Sequence, residues 1–450
     1  MNLPINPWLC APFAALLLCV ALMPLIAPEF WERFRLPAVL LFSLAFALPY
    51  GILYGGGVAF EAVLECIVSD YLTFIVMLFG LYCVAGNITF TGTLAGSPLV
   101  NILFLAAGTV LSSIIGTTGS SMLMIRPLIK MNSWRRRKRH IMIFFIFMIS
   151  NLGGCLTPLG DPPLLMGFMR GIPFFWSLHL FPMFLLNLSV LLLLFHLLDE
   201  RAYLRDVAEG LRPDISRPGT EFRFEGLHNL LFLLMIVAAV ILSGVLPGLP
   251  AFQAADGSVK GIRLFREVTL TWPALIEMLL ILLAALLSMK TTPEAIRRVN
   301  HFTWGPIREV AELFVGIFIT MQPALMLLKA LGPSLGISRP YQMFWATGLL
   351  SSFLDNTPTY LVFLTAAGTL GLGGGIATAL GDIPVRLLEA ISCGAVFMGA
   401  NSYIGNAPNF MVKSISEENG ILMPGFFGYL LWSLVFLIPV FLLDTVVFFL

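Results

Sequence analysis

The chain has 450 residues, 58% of them hydrophobic and only 11% charged, with a formal net charge of +1. Such a composition excludes a soluble domain, and the near-neutral balance gives no reason to invoke nucleic acid. Apolar runs long enough to cross a bilayer recur along the whole length, which predicts an all-α polytopic membrane protein of about ten spans.

In chain order, the predicted spans are 10–28, 36–55, 71–86, 141–176 and 177–198, then 226–247, 268–290, 306–332, 385–417 and 423–449. The start, "MNLPINPW", lacks a basic region, so 10–28 reads as a retained span. "VAFEAVLECIVSD" reads as an amphipathic interfacial helix carrying Glu61, Glu65 and Asp70. Residues 97–131 and 341–367 are apolar but interrupted, at "GTTG" and "DNTP". Each arm is expected to run only about 12–17 residues, roughly 18–25 Å, too short for a ~30 Å hydrocarbon core. They therefore read as re-entrant hairpins. Segments 141–176 and 385–417 are too long for one simple helix and are broken at "TPLGDPP" and "SYIGNAPN". The run "WRRRKRH" (134–140) reads as a topology anchor. Residues 199–225, with Arg201, Arg205, Arg212, Arg217 and Arg223, form a polar cytoplasmic connector. The cysteines Cys10, Cys19, Cys66, Cys83, Cys155 and Cys393 have no paired spacing and read as buried thiols. Basic residues concentrate in loops 29–35, 132–140, 199–225 and 290–303, which assigns these to the cytoplasm of an inner membrane and places both termini outside.

The sequence repeats itself. "SSIIGTTGSSMLMI" (112–125) aligns with "SSFLDNTPTYLVFL" (351–364) at an offset of 239, and "GCLTPLGDPPLLM" (154–166) with "GANSYIGNAPNFM" (399–411) at 245. "DYLTFIVM" (70–77) aligns with "ELFVGIFI" (312–319) at 242. The reading is two inverted repeats of five spans each, each with a re-entrant hairpin and a broken helix. The first repeat is 1–198 (hairpin 97–131, broken helix 141–176). The second is 226–450 (hairpin 341–367, broken helix 385–417). Five crossings per copy force the second to be inverted, and broken helices in inverted repeats mark the binding site of secondary transporters.

Each hairpin tip is expected to meet the break of its neighbouring segment. One site then collects Ser113, Thr117, Thr118, Thr157 and Asp161. Its mirror collects Ser352, Asp355, Asn356, Thr357, Ser402 and Asn406. Gly116 stands opposite Asp355 and Asp161 opposite Asn406, so each site is expected to hold one carboxylate. Oxygen donors with one acid suit sodium, or a proton on the acid itself, and the two can compete. Asp161 could equally cap the helix that follows it. Asp70 and Glu312 share a repeat position and are second-rank candidates. Arg126 and Lys130 close the first hairpin. Arg126 either anchors it by snorkelling or holds an anionic substrate. No nucleophile–base pair or metal-ligand set supports an enzyme, and no cofactor is expected beyond Na+ as transported or coupling ion.

The stretches "IGTTGSSMLMIRP", "NLGGCLTPLGDPPLLMGF", "FLDNTPTYLVF" and "GANSYIGNAPNFMVKSI" resemble the ion transporter superfamily. That group includes NhaD-type sodium–proton antiporters, the arsenite efflux pump, and citrate and dicarboxylate transporters. The chain looks most like a citrate transporter-like branch. The resemblance implies a sodium site where each hairpin meets its broken helix. In the dicarboxylate branch the tips carry Ser-Asn-Thr; here they are Gly-Thr-Thr and Asp-Asn-Thr. The expected partners are Na+ and H+, with citrate or a dicarboxylate as the alternative cargo, in a lipid bilayer. A homodimer is compatible with such a chain. Sodium–proton exchange is the first reading, and sodium- or proton-coupled citrate or dicarboxylate transport the second.

Overall fold

The computed structural model describes residues 5–91, 95–212, 223–254, 257–300, 302–331 and 336–450. Part of the 199–225 connector, including Arg217, lies outside the described residues. The protein is mostly helical, and ten of its described helical segments are long and apolar enough to cross a membrane.

The first half begins with α1 (Ala11–Ile26), α2 (Pro28–Tyr54), α3 (Gly56–Glu65) and α4 (Leu72–Gly86). A π-helical turn, Cys66–Tyr71, joins α3 to α4, so Glu61, Glu65 and Asp70 belong to one continuous helical segment rather than to a separate interfacial helix. Then come α5 (Pro98–Ile115) and α6 (Thr117–Met131), α7 (Arg139–Met148), α8 (Pro162–Met169) and α9 (Phe181–Ala208). The second half holds α10 (Asn229–Val245), α11 (Trp272–Thr291), the short α12 (Glu294–Val299) and α13 (Gly305–Leu331). It closes with α14 (Pro340–Ser351), α15 (Asn356–Gly368), α16 (Val385–Met398), α17 (Ala407–Glu418), α18 (Phe426–Phe436) and α19 (Ile438–Asp444). Among the described residues, three short antiparallel strand pairs decorate the loops.

Local chemistry sets the interruptions. Ser97 caps α5 by accepting from the Val100 amide, with Pro98 at the first position. α5 ends at Gly116, whose φ of +82° favours glycine, and a Cβ there would lie 3.3 Å from the Leu159 carbonyl. The ends of this helix pair meet: the Gly96 amide donates to the Met131 carbonyl at 2.9 Å, and Asn101 and Asn132 exchange amide hydrogen bonds at 3.0 and 2.9 Å. One arm departs from expectation. α5 has 18 residues, longer than the expected limit, because the cap at Ser97 and the break at Gly116 leave its whole apolar run uninterrupted.

The helices gather into two bodies. α1–α4 with the π-helical turn, α10, α11 and α13 pack among themselves, and α5–α9 pack with α14–α19. α7 and α16 are buried on nearly every face and form the centre of the second body. Exposed leucines and phenylalanines cover α1, α2, α10, α11 and α18, the surface expected against lipid.

The basic run 134–140 does more than its charge count suggests. Arg135 is sealed from solvent, with Nη1 2.5 Å from Asp199 Oδ1 and Nε 3.6 Å from Asp206 Oδ2. His140 and Asn101 also bind the Asp199 carboxylate, at 2.8 and 3.0 Å. Arg137 pairs with Asp206 and Glu209, and the guanidinium holds the exposed Glu209 carboxyl below its usual range. Asp199 and Asp206 lie on α9, which continues helically ten residues into the segment read as connector. The run therefore clamps the α5–α6 pair and α7 to α9.

Candidate functional site

Two crossings are built with the same backbone bonds. In the first, the tip of α5–α6 meets the break between a 3-10 turn (Leu152–Leu156) and α8. The Ser113 hydroxyl donates to the Gly153 carbonyl at 2.5 Å, and the Thr157 hydroxyl to the Ser113 carbonyl at 2.5 Å. Thr157 Oγ1 accepts from the amides of Leu159 and Gly160 at 3.2 and 3.1 Å. In the second crossing, Ser352 donates to the Met398 carbonyl at 3.2 Å, and Ser402 to the Ser352 carbonyl at 2.5 Å. Ser402 Oγ accepts from the amides of Ile404 and Gly405, both at 3.1 Å. A broken helix inside an apolar body must satisfy its freed peptide groups internally, and one hydroxyl per break takes two amides. The glycines allow the approach: a Cβ on Gly160 would sit 2.3 Å from the Gly154 carbonyl, and one on Gly405 2.5 Å from the Gly399 carbonyl.

The side chains do not form two separate sites. Asp161, 1% exposed, accepts from Thr117 Oγ1 at 3.0 Å within its own crossing. It also accepts from Asn356 Nδ2 at 2.5 Å and Asn406 Nδ2 at 3.4 Å, both from the other half. The cause is packing: α8 lies against α15, and α17 against α6, so each broken helix runs along the opposite hairpin. Asp161 occupies the N-cap position of α8, but its side chain makes no capping bond. Its carboxylate is committed to the crossing instead.

Asp355 is half-buried and does cap: its carboxylate accepts from the Thr357 amide at 3.0 Å at the start of α15. It is not bonded to Ser402 or Asn406. Thr357 is buried beside Asn356, with a long 3.5 Å contact to Asn356 Oδ1. Thr118 is half-buried one position beyond Thr117 and is not among the groups that hold Asp161. Arg126 sits on α6 and donates to the Asn300 carbonyl at 3.4 Å, at the C-terminal end of α12. Asp70 pairs with Arg170, and Glu312 with Arg35 and Arg308, all outside the crossings.

The sequence reading passed over a layer of amides. Asn151 Nδ2 donates to Asn409 Oδ1 at 2.7 Å, and Asn409 to the carbonyls of Gly399 and Ser402 at 2.8 and 2.9 Å. Asn406 also donates to the Ser150 carbonyl at 3.1 Å. Asn401 donates to Ser352 Oγ at 2.9 Å, while its own Oδ1 is buried and accepts nothing. The available signal was a buried asparagine in an apolar run. At the offset of 245, Asn409 stands opposite Leu164 and Asn401 opposite Leu156, so a search for matching residues missed both.

The side chains bonded at the crossings are neutral apart from one buried carboxylate, and none is Lys or Arg. Asp161, the free Asn401 oxygen, the Ser and Thr hydroxyls and the carbonyls at the breaks are hard oxygen donors. They can hold a small cation, and Asp161 can hold a proton. A family model described as "Putative citrate transport" matches residues 2–449. No curated protein matches the chain.

Proposed function

The chain belongs to that family, and from this membership we propose that it is a secondary active transporter whose coupling cation binds at Asp161. The single observation that carries the reading is one sealed carboxylate held only by neutral donors from both halves. A carboxylate in such a place costs several kcal/mol unless a cation or a proton neutralises it. Sodium and proton competing for Asp161 give exchange, with the hairpin tips and broken helices as the binding elements. The first reading is therefore sodium–proton antiport.

The family match favours a second reading, cation-coupled transport of citrate or a dicarboxylate. Here the cation on Asp161 would offset the repulsion that the carboxylate presents to an organic anion. The duplicated hydroxyl turns at the two breaks support a repeat, which the proposal takes as two inverted copies, 1–198 and 226–450, joined by 199–225. The bond between the two ends of the α5–α6 pair supports a helical hairpin, and the proposal takes it as re-entrant. A multi-pass protein of the inner membrane with both termini outside completes the proposal.

Purified protein in liposomes separates the readings. Sodium-driven proton flux without organic anion is the result expected of the antiporter. Labelled citrate uptake that requires sodium or a proton gradient would replace it with the second reading. Neither flux at any gradient would refute both.

A further inference from the structure

The two helical bodies touch mainly through apolar faces, α4 on α6 and α13 on α15. Among the described residues one ion pair joins them: Asp70 Oδ2 lies 2.8 Å from Arg170 Nη2. Every other described pair lies within one body or among the loops and short helices attached to it.

Both ends of this bond are unusual. Asp70 is buried on the π-helical turn between α3 and α4. A π turn carries one residue more than the α register, and such turns recur at functional sites. Arg170 closes α8, whose other end is Asp161. Eight helical residues separate them, about 12 Å of rigid rod. The Arg170 carbonyl accepts from the Ala379 amide at 2.8 Å, on the loop between α15 and α16. Arg170 is thus a node: its side chain reaches the first body, its carbonyl the second half, and its helix the shared carboxylate. The Arg170 side chain is 22% exposed, whereas that of Arg135 is sealed at 0% inside one body; the Nε of each is buried without a hydrogen-bond partner. The Arg170 end of the pair is thus partly open to solvent while the Asp70 end is buried, so the contact is made at the edge of the seam between the bodies.

We propose that Asp70–Arg170 is a latch that fixes α8, and through it Asp161, against the first body, and that it opens and re-forms in each transport cycle. Asp70 and Arg170 act as positioning residues and do not bind the cation. The cyclic part rests on the transporter reading above; the latch itself does not.

The test is hydrogen–deuterium exchange on the full chain in lipid nanodiscs, which needs no substrate. Arg170→Gln and Asp70→Asn are each expected to speed exchange across 162–170 and 376–383 by roughly fivefold or more, while α7 stays unchanged. The charge-exchanged double variant, Asp70→Arg with Arg170→Asp, should return exchange toward wild type. Unchanged exchange at 162–170, or an equal rise in α7, would overturn the latch; the second result would mark a merely structural pair. If Asp70→Asn does not fold, Arg170→Gln and Arg170→Lys carry the same comparison. For the cycle, Asp70→Cys and Arg170→Cys in a Cys66→Ala background are bridged by a short bifunctional thiosulfonate. Bridging should stop transport, and a reductant should restore it. Transport at the unbridged rate would overturn the cyclic opening. A wild-type protein that carries neither ion nor citrate would sink the transporter reading and leave the exchange result standing.

Discussion

Asp161→Asn is the sharpest perturbation of the crossing. The change keeps the shape and removes the charge. Thr117 Oγ1 at 3.0 Å, Asn356 Nδ2 at 2.5 Å and Asn406 Nδ2 at 3.4 Å all donate to the two carboxylate oxygens. An amide offers one oxygen and one NH2, so at least one donor must turn away or lose its partner. Losing one charge-assisted bond is worth about 1.5–3 kcal/mol. A bound cation loses a further direct contact of that size, so the apparent affinity should fall by at least ten- to a hundredfold. The fold should survive, because α8 does not use the Asp161 side chain as its cap. The assay is the sodium concentration that half-saturates a thermal-shift response, followed by ion flux in liposomes. Half-saturation within twofold of wild type, with normal flux at neutral pH, would refute the carboxylate mechanism.

The remaining predictions address the residues around it. Asp355→Asn should keep the cap on α15, since Asn caps about as well as Asp, and should abolish flux only if this second carboxylate also exchanges ions; thermal stability and flux are read together. Arg126→Gln should leave the half-saturating sodium concentration nearly unchanged, because Arg126 donates to the Asn300 carbonyl and not to the crossing; a citrate-specific loss of about ten- to a hundredfold would instead install Arg126 as an anion ligand. Arg135→Gln should cost about 3–5 kcal/mol of stability, because Asp199 and Asp206 are sealed with it; a melting temperature equal to wild type would contradict the clamp.

Much of the fold was legible because its signals are local. Apolar runs give the spans, and Gly116, Pro162, Pro163 and Pro408 mark the interruptions. The tips and breaks were legible through their spacing, which the repeat makes visible. What was hidden depends on contacts between the halves. An offset says which segments are equivalent; it does not say that α8 lies along α15, so the shared Asp161 could not be read. Asn151, Asn401 and Asn409 escaped because asparagine has no periodic signature and their repeat positions hold apolar residues. The partners of Arg135 lie more than sixty residues away on α9, in a stretch whose charges read as a solvated connector.

The comparison of the two crossings separates what folds the site from what the site does. The hydroxyls of Ser113 and Thr157, and of Ser352 and Ser402, make matching bonds to matching backbone groups. That set satisfies a broken helix in an apolar body, and both halves need it equally. The charges and amides do not match. Asp161 faces Asn406 in the repeat, yet the two are bonded to each other in space. Asn356, on the tip of the second hairpin, spends its amide on the carboxylate of the first break. On the proposed function, a cation that neutralises Asp161 weakens its pull on Asn356, and so alters the start of α15 in the other half. Linkage makes this reciprocal: whatever binds at the second tip must shift the cation affinity of Asp161 by the same factor. The unequal residues, rather than the repeated ones, are therefore where coupling between the halves is written.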